Sequence, residues 1–172
     1  MDIHPTAVVS PKAELADDVR IEAYSIIGPR VELGSGTIVG PHAVVDGWTK
    51  IGERNRIFPF ATVGYPPQDL SYRGEETRLV IGNDNTIREN VTINRGTQRG
   101  GGVTCIGSHN LLMAYAHVAH DCVIGDHVIL ANATTLGGHV RIDDHAILGG
   151  LVAIHQFIRI GAYAFIGGKS GL

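Results

Sequence analysis

"IGSHNLLMAYAHVAHDCVIGDHVILANATTLGGHV", residues 106–140, carries an aliphatic side chain at every sixth position: Ile106, Leu112, Val118, Ile124, Leu130 and Leu136. The step continues through Ile142, Leu148, Ile154, Ile160 and Ile166 to Leu172. Upstream it runs from Ile3, Val9, Leu15, Ile21 and Ile27 to Val63, resumes at Ile81, Ile87 and Ile93, and then slips by one residue. A period of six fits neither an α-helix nor a heptad. It fits short strands joined by corners, with the aliphatic residue pointing inward. The residue after the aliphatic one is repeatedly glycine, as at Gly28, Gly34, Gly40, Gly64, Gly107 and Gly125, and is read here as a residue that tolerates corner backbone. Two residues before the aliphatic position the side chain is small or β-branched (Ala7, Val19, Ser25, Ala43, Ala116, Cys122, Thr134), as a narrow interior requires.

Self-similarity at a fixed period means a stacked array. The whole chain, residues 1–172, is therefore expected to form one all-β domain. Two stretches break the phase: "YPPQDLSYRGEETRLV" (65–80) and "NRGTQRGGGVTC" (94–105). Both are expected to leave the array as loops, and long loops on a rigid scaffold are where function concentrates.

Composition narrows the function classes. Glycine supplies 23 of 172 residues and charged residues only 18%, which favours a turn-rich β chain over a helical one. A net charge of −3 and a pI near 6.3 give no bulk reason to bind nucleic acid or an anionic membrane. No apolar run is long enough for membrane insertion. The N-terminus lacks the pattern of a secretory signal, and Cys105 and Cys122 are too few for a disulfide framework, so a cytoplasmic location is expected.

Within the opening stretch, His117 and His120 are followed at once by Asp121. A metal site needs three or more converging ligands. A general base needs one imidazole and a group that orients it. Asp121 could be that group, yet adjacent side chains in a strand diverge, so contact requires corner geometry or a second chain. Cys122 falls in the small inward slot and reads as core. His4, His42, His109, His127 and His145 read as solvated.

The hexad resembles the hexapeptide-repeat family, whose fold is a left-handed parallel β-helix with 18 residues per triangular coil. On that ruler His120, Gly138–His139 and His155–Gln156 occupy one edge on successive rungs. Beyond the repeat, "QDLSYRGEETR" (68–78), "IGNDNTIRENVTINRGT" (81–97), the opening stretch and "AIHQF" (153–157) resemble the UDP-N-acetylglucosamine acyltransferase family of lipid A synthesis. The resemblance implies transfer of a (3R)-3-hydroxyacyl chain from acyl carrier protein to the glucosamine 3-hydroxyl of UDP-N-acetylglucosamine, without metal or other cofactor. It implies that His120 is the base, Asp121 its supporting carboxylate and the Gly138 N–H the oxyanion donor. Asp69, His117, His139, His155 and Gln156 match substrate-positioning residues, and Gly168 a place where a missing side chain admits the acyl tail. The family works as a homotrimer, with the loop bearing Asp69 in the cleft between subunits. Two departures stand out. Ser71 replaces the lysine common after "QDL", and the sequence ends at Leu172, before the family's further coils and helical domain. The alternatives are a trimeric scaffold without catalysis, or acyl transfer to a 3-amino sugar nucleotide.

Overall fold

The computed structural model describes residues 1–172, and the hexads become a prism with three sides. The sides are parallel sheets of nine, eight and eight strands, and they make a left-handed parallel β-helix. Each strand pairs with the third strand after it: Asp2–Ile3 lies on Arg20–Ile21, which lies on Ile38–Val39. Ile3 therefore stacks on Ile21, and Ile106 on Ile124, an offset of 18 residues. The offset widens to 30 across the first loop, where Ile57 meets Ile87, and to 25 across the second, where Ile87 meets Leu112.

Both loops are shorter than the sequence suggested. Strand Arg78–Ile81 begins inside the first interruption and Val103–Ile106 inside the second. These two strands pair with each other along their full length, and Leu79 and Thr104 are fully buried. Only 66–77 and 95–102 leave the prism. Backbone pairing plus burial outweighs the polar composition that made 78–80 and 103–105 read as loop.

The inward aliphatic residues form one continuous core from Val19 to Ile160. Cys122 lies fully inside it, and burial pushes its thiol up to about 12, so it packs as a small apolar group. Asn55, Asn85 and Asn110 form a buried amide ladder whose oxygens accept backbone N–H groups of Asn85, Asn110 and Val128. These three amides can sit inside because each is bonded.

The expected role of the hexad glycines needs correction. Of those named above, only Gly64 has left-handed backbone (φ 85°). The others answer to space: a Cβ on Gly34 would lie 2.6 Å from the Gly52 carbonyl carbon, and one on Gly107 would lie 2.6 Å from the Gly125 oxygen. The left-handed corners belong instead to larger residues, among them His109, His127, His145, Asp121 and His139. Left-handed backbone costs such residues energy. Here the N–H of each of these five reaches the coil before it, as from His127 to Ser108 O (3.0 Å) and from His145 to Asp126 O (2.9 Å). Their exposed rings stack at the coil spacing: His109 on His127 and His127 on His145 at 4.8 Å, then His145 on Tyr163 at 4.7 Å. Three of the histidines read as solvated, His109, His127 and His145, are thus a ring column on one edge, whereas His42 stacks between Tyr24 and Phe60, 5.1 Å from each.

Candidate active site

A second corner edge carries His120, Gly138 and Gln156. The register that stacks Val118 on Leu136 and Leu136 on Ile154 places these three on successive coils. The rung expectation therefore holds, and His139 N–H donates to His120 O at 3.0 Å.

Asp121 answers the question of adjacent side chains. Its φ of 60° folds the chain at the corner, so its carboxylate turns back to its neighbour. Asp121 Oδ2 lies 2.8 Å from His120 Nδ1. No second chain is needed. Thr97 grips the same carboxylate, its N–H donating to Oδ1 (2.8 Å) and its hydroxyl to Oδ2 (2.6 Å). The Asp121 side chain is 1% exposed and that of His120 8%. A buried carboxylate with three donors is compensated, and it holds the imidazole in one orientation. Thr97 escaped the sequence reading. The available signal was the glycine-rich run beside it: a Cβ on Gly100 would collide with the Asp121 carboxylate, and Gly101 and Gly102 carry left-handed backbone.

His120 Nε2 bonds to no protein group. It borders a cavity of about 330 Å³ lined by Gln68, His117, His120, Gly138 and Gln156, together with Ala119, Thr135, Leu136 and Gly137. Gly138 lies against the imidazole, where a Cβ would come within 2.7 Å of Nε2, and its own N–H makes no hydrogen bond in the chain. The cavity thus has an acceptor nitrogen and an unused backbone donor side by side.

His117 meets Thr92 Oγ1 through Nδ1 at 2.7 Å. Burial, and then the nearby His120, hold its pKa below the usual 6.5. Neutral His117 is therefore favoured at pH 7. Its contribution to stability is complete above pH 6.5 and is lost as pH falls through the depressed folded value. An NMR titration should put the His117 midpoint below 6.5; a midpoint above it contradicts the buried neutral ring.

The other expected residues divide. His139 stands behind the cavity: its Nε2 is 3.7 Å from Asp121 Oδ2, its ring meets His120 edge-on at 5.2 Å, and it stacks on Phe157 at 4.4 Å. Ligand atoms of His120, Asp121 and His139 lie within 4.8 Å of one another, a grouping a metal ion could use. Both Asp121 oxygens, however, already accept hydrogen bonds from Thr97. Asp69 follows Gln68 in the loop. Its carboxylate accepts the Ser71 N–H at 2.6 Å, and that bond, the Ser71 hydroxyl and the His120 charge lower its pKa. The loop thus reaches the His120 cavity of its own chain. His155 is exposed and turned to Gln156 O at 3.3 Å. Gly168 is exposed one coil beyond Gly150, where a Cβ would lie 3.1 Å from the Gly150 oxygen.

The repeat defines the class. The bacterial transferase hexapeptide (six repeats) family matches residues 12–47 and 106–138, and the prism is its fold. Narrower likeness follows from longer matches. The chain is 64% identical over 138 residues to the acyl-[acyl-carrier-protein]–UDP-N-acetylglucosamine O-acyltransferase of Syntrophobacter fumaroxidans, covering 80% of this chain and 54% of that protein. It is 57% identical over 139 residues to the enzyme of that name from Thermodesulfovibrio yellowstonii, covering 81% and 54%. The structure superposes on that of Acinetobacter baumannii LpxA with a TM-score of 0.98 at 54% identity, covering 99% of this chain and 66% of that one. The Moraxella catarrhalis UDP-N-acetylglucosamine O-acyltransferase gives 0.97 at 44% identity, covering 100% and 67%. The chain belongs to the UDP-N-acetylglucosamine O-acyltransferase family. It spans about half the length of the curated relatives it matches. No helix is long and apolar enough to cross a membrane.

Proposed function

We propose that these coils carry the catalytic centre of an acyl-[acyl-carrier-protein]–UDP-N-acetylglucosamine O-acyltransferase acting in the cytoplasm as a homotrimer. The observation that carries the reading is the His120–Asp121 pair set against Gly138, whose N–H is unbonded, at the border of one cavity. Asp121 accepts the Nδ1 proton of His120, which leaves Nε2 as the acceptor. Nε2 takes the proton of the sugar 3-hydroxyl as that oxygen attacks the thioester carbonyl. The carbonyl oxygen gains charge, and Gly138 N–H is the donor beside it. The C–S bond then breaks, and the His120 imidazolium returns its proton to the carrier thiolate. Gln68, His117 and Gln156 border the space for the acceptor, Asp69 follows Gln68 in the loop as a further acceptor contact, and His139 supports Asp121 from behind. His155 serves the substrates on the same edge, and Gly168 does so from the neighbouring edge, one coil beyond Gly150.

Incubation with (3R)-3-hydroxyacyl carrier protein and radiolabelled UDP-N-acetylglucosamine should give an alkali-labile ester. An alkali-stable amide formed from a 3-amino acceptor in preference would replace this reading, and no product from either acceptor would leave the scaffold alternative.

A further inference from the structure

We propose that Arg95 is a positioning residue that fastens the 66–77 loop over the His120 cavity. The proposal rests on the functional reading above, in which Gln68 and Asp69 face the acceptor. Arg95 is 5% exposed, and its guanidinium pairs with no carboxylate. Nη1 donates to Gly64 O at 2.6 Å and Nη2 to the Tyr72 hydroxyl at 2.8 Å. Its Cζ lies over the Trp48 ring at 5.5 Å and the Tyr72 ring at 5.9 Å. Nε has no partner.

A cation buried among neutral acceptors is an expensive way to fill space. Methionine would fill it without a charge. Only a planar fork bonds two separate oxygens at once while stacking on aromatic rings. The neighbourhood is shaped for it: a Cβ on Gly47 would strike Nη1.

The contacts lead from Arg95 to the cavity. The Tyr72 hydroxyl donates to Glu75 O at 3.0 Å, and Tyr72 N–H donates to Asp69 O at 3.1 Å. One residue earlier, Asn94 Nδ2 donates to Pro66 O at 3.1 Å, at the loop's entry. Two residues later, Thr97 holds Asp121. Residues 94–97 therefore touch both the loop that borders the acceptor space and the carboxylate that orients the base. Arg95 is the link to the loop, and Thr97 the link to the base.

Tyr72→Phe removes one hydroxyl, and Arg95→Met removes the fork. Either should speed hydrogen exchange at the Ser71, Tyr72 and Arg73 amides roughly tenfold, the worth of one hydrogen bond to a charged group. Amides of the strands bearing Val118 and Leu136 should not change. The KM for UDP-N-acetylglucosamine should rise by a similar factor with kcat held within about twofold, the signature of lost ground-state positioning. Unchanged loop exchange in Tyr72→Phe overturns the proposal, as does faster exchange with KM unmoved. If Arg95→Met fails to fold, Tyr72→Phe alone decides. If the parent chain transfers no acyl group, the functional reading fails, and the exchange measurement still decides the clamp.

Discussion

Replacement of His120 by alanine is expected to lower acyl transfer by about 10²–10⁴-fold, the range for a positioned general base. The fold should survive. Asp121 keeps both hydrogen bonds from Thr97, and His139 Nε2 stands 3.7 Å from it, so the buried carboxylate is not stranded. The aliphatic column at Val118, Leu136 and Ile154 is untouched. Initial rates and thermal melting, measured together, check both halves. A melting temperature near that of the parent with turnover also near the parent's removes His120 from the mechanism.

The second large effect is expected at Gly138, where alanine should cost on the order of 10²-fold through displacement of the base. Gly138 does not have left-handed backbone, so alanine adds no conformational strain. The cost is collision: the new methyl would sit 2.7 Å from His120 Nε2 and overlap the ring. The imidazole must swing away, and its 2.8 Å contact with Asp121 goes with it. Combined with His120→Ala, the same methyl has room. Gly138→Ala should then cause little further loss, a non-additivity expected only of side chains in contact. Equal losses in both backgrounds would mean that Gly138 acts on something other than the His120 ring.

These two residues also show what the repeat could reveal in advance. The hexad phase, with the 18-residue coil that the family resemblance implies, put Gly138 one coil above His120, and the strand register bears this out. Thr97 was hidden because it lies in a loop, where no period applies and each contact depends on how the chain folds back. Arg95 was hidden too, since a lone arginine in a polar stretch reads as solvated, and only the packing of Trp48 and Tyr72 around it shows its burial. The glycine role was misjudged for a related reason. Sequence shows that a side chain is missing but does not distinguish backbone freedom from the close approach of another coil, as between Gly34 and Gly52.

The amino-acid sequence alone determined the stacked β array and its inward faces, and the 18-residue coil that the family resemblance implies added the rungs of His120, His139 and His155. A six-residue period specifies which residues point inward wherever the phase is unbroken. Tertiary structure alone decided how the site is assembled. Asp121 meets His120 because its corner φ is 60°, and Thr97 meets Asp121 because a glycine-lined turn brings the loop against it. Period determines position, whereas side-chain direction at a corner depends on backbone torsions that the hexad pattern does not encode.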